Sequence, residues 1–257
     1  LDKYLCQWLF ISIITNIIEL KYKLTTGVVS MRTNTIREIR RGELSRAAFE
    51  AVIRYGLRKT TLEKVGSIAG VSKGVVLHHF KDKGALLEAV FRRSNMLLSG
   101  SVVELYRYAK TPYERLWAII FANFCDSIFN RPVCQAWVSL ISEVPHNKGC
   151  QRVQLINNER IKSNLIHELK HFLPEDEVQE VARHIGVQID GIWVRAGLLP
   201  QIIDTSTAIS EMEFTISKML PYDEVSAARH KEARKKIETV ADIALGSKIF
   251  KEKFLTV

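Results

Sequence analysis

The chain has 257 residues, 47% of them apolar and 25% charged, a composition that excludes a disordered polymer, a fibrous repeat and a disulfide-stapled miniature. Its length allows one large domain or two small ones, each with a real core. Charge is unevenly placed: residues 31–93 hold 14 lysines and arginines against 6 acids, while residues 94–220 hold 12 against 14, so most of the net +9 lies in one early segment, as phosphate binding requires.

Residues 1–30 carry the apolar run Trp8 to Ile18, which is too short and, at Ser12, Thr15 and Asn16, too polar for a membrane span. The balanced charge of Asp2 and Lys3 and the absence of a small-residue cleavage site after Ile18 do not fit a signal peptide. Met31 and a polar lead-in follow, so residues 1–30 are expected to be upstream sequence read through from an early start, or a disordered extension, with no membrane association. Cys6, Cys125, Cys134 and Cys150 show no C-x-x-C spacing and sit in or near apolar helical pattern. They read as small core residues of a reducing, cytoplasmic compartment, with no disulfide framework.

From Ile36 to Tyr55, Leu44, Ala47, Ala48, Ala51, Val52 and Tyr55 mark one face of a helix that Gly56 stops. The next stretch, Thr60 to Phe80, reads as two short helices joined by a tight turn. Leu62, Val65 and Ile68 share a face, and Thr60 is placed to cap that helix with Glu63 as its reciprocal partner. Gly70 supplies the left-handed turn, and Ser72 caps a second helix from Lys73 to about His79. Val76 and Phe80 face inward, while Lys73, Gly74, Val75, Leu77, His78 and His79 face outward. This is a helix-turn-helix, whose second helix meets DNA by its N-terminal residues. Thr60, Thr61, Ser72 and Lys83, at the helix starts, join the outward set as candidate DNA contacts.

Asp82 caps a long helix from Lys83 to about Ala109, which leaves the first domain and enters the next. Thr111-Pro112-Tyr113-Glu114 opens another, with a stripe of Trp117, Phe121, Phe124 and Ile128. Asn130-Arg131-Pro132 breaks it, a further helix runs to Val144, and Pro145 ends that one. Helices then follow from Gly149 to Phe172, from Pro174 with its three acids to about Gly197, and from Thr205 to Leu220. Beyond Pro221 lies a charged extension with a short helix around Glu224 to Leu245. No stretch sustains period-2 alternation, so the chain is expected to be all-α. The expected division is an extension at 1–30, a three-helix DNA-binding domain at 31–82, a larger helical effector-binding and dimerisation domain at 83–220, and a C-terminal extension at 221–257.

His167-Glu168-Leu169-Lys170-His171 matches H-E-x-x-H, the helical spacing of a zinc hydrolase site with the glutamate as general base. The extended form of that motif fails, because Pro174 stands where it needs glycine and Glu177 where it needs a third histidine. Zinc hydrolysis is therefore only a remote alternative. His78 and His79 project about 100° apart and make a poor chelate. No G-x-S-x-G, phosphate loop or G-x-G-x-x-G occurs, so no catalytic residue, metal or cofactor is expected.

Gly70 to Val90, GVSKGVVLHHFKDKGALLEAV, resembles the signature of TetR-type bacterial repressors, and the resemblance extends over roughly Ile36 to Leu220. AWVSLISEVPHN at 136–147 and IDGIWVR at 189–195 are similar to stretches of the branch that senses choline in the glycine-betaine pathway. The resemblance implies a homodimer on double-stranded operator DNA, with its interface on the helices Glu175 to Gly197 and Thr205 to Leu220. It also implies a small-molecule effector bound among the later helices. Trp137 and Trp193, with Glu143 and Asp190 near them in sequence, are the candidate effector residues, and Trp117 is a further one. Tryptophan faces and a carboxylate suit a quaternary ammonium, which has no N–H to donate. Trp117, with Phe121 and Phe124, equally fits a helical core stripe. The alternative within the same family is a regulator of efflux or catabolic genes answering another small molecule.

Overall fold

The computed structural model describes residues 36–247, all of whose regular elements are helical. The expectations for residues 1–30 lie outside the described residues. The elements are α1 (Ile36–Tyr55), α2 (Leu62–Ala69), α3 (Lys73–His79), α4 (Lys83–Tyr106), α5 (Pro112–Phe124), α6 (Arg131–Ile141), a 3₁₀ turn (Val144–His146), α7 (Lys148–Leu169), α8 (Glu175–Leu198), α9 (Thr205–Met219) and α10 (Glu224–Gly246).

Short polar side chains start most of these helices, each accepting a backbone N–H of the first turn. Asp82 accepts from Ala85 at 2.7 Å, Thr111 from Glu114 at 3.2 Å, Asn130 from Val133 at 3.3 Å, Asp204 from Thr207 at 2.8 Å and Asp223 from Ser226 at 2.7 Å. Pro174 has no capping side chain; Glu175, Asp176 and Glu177 supply negative charge to the first turn of α8 instead.

Four helices end earlier than the sequence suggests, among them α5, which stops at Phe124 because Cys125 is extended (φ −68°, ψ 144°), so that Ile128 of the expected stripe lies in the turn that follows. α4 stops at Tyr106 because Arg107 and Tyr108 tighten onto Glu104 and Leu105 with i→i+3 bonds. α6 stops at Ile141, where the Glu143 N–H tightens onto the Leu140 carbonyl at 3.0 Å and the chain turns through the 3₁₀ segment that carries Pro145. α7 stops at Leu169, where His171 and Phe172 close similar tight turns.

α1, α2 and α3 bury Leu44, Ala48, Val65, Val76 and Phe80 together. α4 leaves this cluster and packs on α5 and α7, while α6 packs on α8. α5 is the centre of the helical domain: Leu116 through Phe124 are all buried, and α4, α7, α9 and α10 lie against it. The sequence reading sets the segment after Pro221 apart as an extension. The structure packs α10 along α5 through Ala233, Ile237, Ala241 and Leu245, as part of the same core.

Candidate nucleic-acid interface and effector cleft

The turn of the reading head depends on two glycines. Gly70 has φ 67°, ψ 29°, and the Val71 N–H returns to the Gly66 carbonyl at 2.8 Å. A Cβ at Gly66 would lie 2.6 Å from the Val71 carbonyl oxygen, so only glycine lets the turn fold back this closely. Ser72 then caps α3 by accepting from Val75 at 3.4 Å. Val76 and Phe80 point inward and are buried, leaving Lys73, Gly74, Val75, Leu77 and His78 exposed on one surface.

Three of the expected contacts lie off the fully exposed surface of the reading head. Thr60 is buried, and its hydroxyl donates to the Gly56 carbonyl at 2.9 Å; the cap of α2 is the exposed Thr61, which accepts from Lys64. His79 is half-buried, and its carbonyl accepts from Arg41, whose guanidinium lies over the Phe80 ring at 4.3 Å. Lys83 is half-buried and donates to the Leu57 carbonyl at 3.1 Å, tying the start of α4 to the loop after α1. Lys73 stays at the surface beside Glu63, 2.5 Å away, and its hydrogen bond holds the Glu63 carboxyl down at about 2. Arg58, Lys59 and Lys81 are exposed around the same helices and were missed by the motif, which weighs the helices and not the loops flanking them.

Of the five expected effector residues, the structure brings two together. The Trp137 and Trp193 rings lie 6.0 Å apart, with Phe91 stacked on Trp137 at 5.1 Å and Phe129 edge-on to Trp193 at 5.4 Å. They wall a cleft of about 60 Å³ completed by Phe49 of α1, Ser94, Leu97 and Leu98 of α4, and the turn before α6. Asp190 is exposed and lines a different groove, between α7 and α8, with Lys162 and Arg183. Glu143 is half-exposed at the end of α6 and does not line the cleft. Asp190 and Trp193, three apart, lie only about 60° round the helix axis, and the packing of α8 on α6 takes the indole into the cleft while Asp190 falls in the groove on the α7 side. Trp117 is fully buried elsewhere, against His230 of α10 at 6.5 Å. Phe49, which lines the cleft, and Phe91 and Phe129, which back its two indoles, were not singled out from the sequence, because nothing local marks them.

The H-E-x-x-H residues do structural work. Glu168 is fully buried, accepts from Arg115 Nε at 3.0 Å and from the Tyr106 hydroxyl at 3.4 Å, and so ties α7 to α5 and α4. Burial first and then this carboxylate push the Tyr106 phenol up. A general base must reach a metal-bound water, and this carboxylate is held in the core by Arg115 and Tyr106, while His167, 3.9 Å from it, lies 73% exposed. Among the described residues no group of three or more His, Cys, Asp or Glu side chains is arranged to hold a metal, and no helix is long and apolar enough to cross a membrane.

Two family profiles match the chain: "Bacterial regulatory proteins, tetR family" over residues 44–90, and "BetI-type transcriptional repressor, C-terminal" over residues 112–221. The HTH-type transcriptional regulator BetI of Burkholderia lata is 36% identical over 189 residues, 73% of this chain and 97% of the relative. That of Pseudomonas aeruginosa (strain LESB58) is 34% identical over 177 residues, 68% of this chain and 90% of the relative. Among solved structures, a transcriptional regulator from Rhodococcus sp. Rha1 superposes with a TM-score of 0.63 at 18% identity, covering 70% of this chain and 95% of the other. A regulator from Saccharomonospora viridis, crystallised in complex with choline, gives 0.63 at 16% identity over 70% and 97%. Helix-turn-helix, helical second domain and relatives at 34–36% identity agree: the chain belongs to the TetR family, as a ligand-responsive DNA-binding repressor with a BetI-type C-terminal domain.

Proposed function

We propose that the chain acts in the cytoplasm as a homodimer on a pseudo-palindromic operator controlling choline and glycine-betaine genes, and that choline or a similar small quaternary ammonium releases it. The division at residues 82–83 then separates the reading head from the sensing domain. The observation that carries this reading is the composition of the cleft: Phe49 of α1 and Ser94, Leu97 and Leu98 of α4 face the same space as Trp137 and Trp193. At about 60 Å³ the cleft is far smaller than the ~300 Å³ at which small-molecule sites ordinarily begin. A larger ligand enters only by parting α1 and α4 from α6 and α8, and that movement changes where α3 sits. Binding energy and operator affinity are thereby linked, with a coupling of about 1–3 kcal/mol, or roughly 5- to 150-fold. Facing tryptophans suit a trimethylammonium head at about 0.5–2 kcal/mol each, and the choline complex of the Saccharomonospora viridis fold neighbour supports this ligand class.

A dimer is supported by Val187, Val194 and Leu198 on α8, Ile202 after it and Phe214 on α9, large apolar residues that the single chain leaves exposed. Two reading heads about 34 Å apart then enter successive major grooves. Lys73, Gly74, Val75, Leu77 and His78 are the DNA-facing residues, with Ser72 and Thr61 at the helix starts. No catalytic role is assigned.

One observation favours a second reading: no carboxylate lines the cleft, which suits an apolar, uncharged effector of the same size. Operator titrations with and without choline, and with its neutral isostere 3,3-dimethylbutanol, decide between them. Choline is expected to weaken operator binding and the alcohol to do so much less; an equal effect establishes the uncharged reading, and no effect of either removes both.

A further inference from the structure

His230 of α10 sits in a box of four aromatic rings that the repression cycle above does not use. Tyr113 and Trp117 of α5 stand nearly perpendicular to it at 4.7 and 6.5 Å, Phe172 lies at 5.8 Å, and Tyr222 stacks on it at 5.5 Å. The imidazole is 1% exposed, and neither of its nitrogens has a hydrogen-bond partner; the buried indole N–H of Trp117 also lacks one. Buried polar atoms are ordinarily paired. Here the surrounding ring faces are what an N–H can meet.

The same surroundings suit a small organic cation, which aromatic faces and a nearby carboxylate hold without N–H donors. That carboxylate is Glu213 of α9: after burial, its charge is the next cause that pushes the Tyr222 phenol up, and Arg234, one turn beyond His230, pairs with it at 2.8 Å. The present occupant does not use the attraction of the box for charge, because burial pushes the His230 imidazole down to about 4 and leaves it neutral near pH 7. Tyr113, Trp117 and Phe172 belong to the segment matched by the BetI-type profile, which ends at residue 221, whereas the occupant comes from the helix after it.

We propose that Tyr113, Trp117, Phe172 and Tyr222, with Glu213 at the rim, form a second site for a small permanently charged organic cation, and that His230 is a tethered plug which such a ligand displaces. The plug can leave without the helix. Between Glu224 and His230 only His230 is buried, while the anchoring Ala233, Ile237, Ala241 and Leu245 all lie further along. Unwinding the first two turns of α10 therefore opens the box and keeps the remainder docked on α5, where Lys236 holds Glu114 at 2.7 Å. The site is separate from the Trp137–Trp193 cleft and stands whether or not choline enters that cleft.

Calorimetric titration of the full chain with tetramethylammonium tests the proposal. His230→Ala is expected to bind roughly ten-fold more tightly than wild type, with the gain erased by adding Tyr222→Ala and absent for 3,3-dimethylbutanol. Equal affinity in wild type and His230→Ala, or an equal gain for the neutral alcohol, overturns it. Should the variant unfold, hydrogen exchange on the wild-type chain decides. Saturating tetramethylammonium is expected to quicken exchange at residues 224–232 by roughly three-fold or more and to leave residues 237–245 unchanged. Unchanged exchange at 224–232 overturns the plug whatever the variants do.

Discussion

Lys73 is already engaged before DNA arrives, since its ammonium rests on the Glu63 carboxylate and both side chains stay more than half exposed. An exposed pair of this kind contributes little to folding, so a phosphate can take over the ammonium at small cost. Glu63→Gln is expected to raise operator affinity by about 2- to 5-fold, while Lys73→Ala lowers it and reduces the log–log salt slope by about one unit. Anisotropy titrations across a salt series check both, and an unchanged slope would move Lys73 off the phosphate backbone. His230 gives a second expectation, in stability. The unfolded chain takes up that proton near 6.5 and the folded chain only near 4, so the stabilisation is complete above 6.5 and is lost as pH falls toward 4. Between pH 7 and pH 5 the loss is expected to be about 2 kcal/mol, and His230→Phe, which keeps a ring in the box, should flatten that part of the denaturation profile. Neither pairing was legible in the sequence. Glu63 to Lys73 crosses the turn between two helices, and which of Thr60 and Thr61 turns outward depends on where the loop after Gly56 sets the register of α2.

At the scale of elements, the local signals were the legible ones. A capping side chain and the N–H it accepts from lie three residues apart, so Ser72, Asp82 and Thr111 were found from spacing alone, as was Gly70, whereas Asn130 was read only as a break and Asp223 was passed over. What spacing could not supply was the partner of each face. Ala233, Ile237, Ala241 and Leu245 form a helical stripe, yet nothing near them in sequence says that α5 covers it. Asp190 failed for the same reason: only the packing of α8 on α6 decides that Trp193 goes in and the carboxylate stays out. The α2–α3 turn offers the sharpest test at this scale. Gly66→Ala forces α2 and α3 apart at the Val71 carbonyl and is expected to destabilise the chain by about 1–3 kcal/mol and to abolish operator binding. Gly70→Ala meets no atom within 4 Å and is expected to cost only about 1 kcal/mol for its left-handed backbone. Thermal melts of the two variants distinguish steric from conformational roles.

For the whole molecule, the proposed dimer rests on the partition of charge and on the exposed apolar residues of α8 and α9, which would form a seam between two basic reading heads. Phe214→Glu is expected to give a folded chain that sediments as a monomer and binds the operator far more weakly, because the two half-site affinities no longer act together; a dimer that persists would place the seam elsewhere. The basic segment was legible from counting charges and the all-helical architecture from periodicity, but of the cleft only Trp137 and Trp193 were, since its walls come from helices more than a hundred residues apart. Phe49 makes that separation matter for genetics. It stands inside the stretch matched by the tetR-family profile, yet its ring lines the cleft proposed above for the effector. A selection for alleles that stay repressed in the presence of inducer would therefore collect substitutions at position 49, and a catalogue sorted by domain boundaries would file them under DNA recognition when the lesion is in sensing.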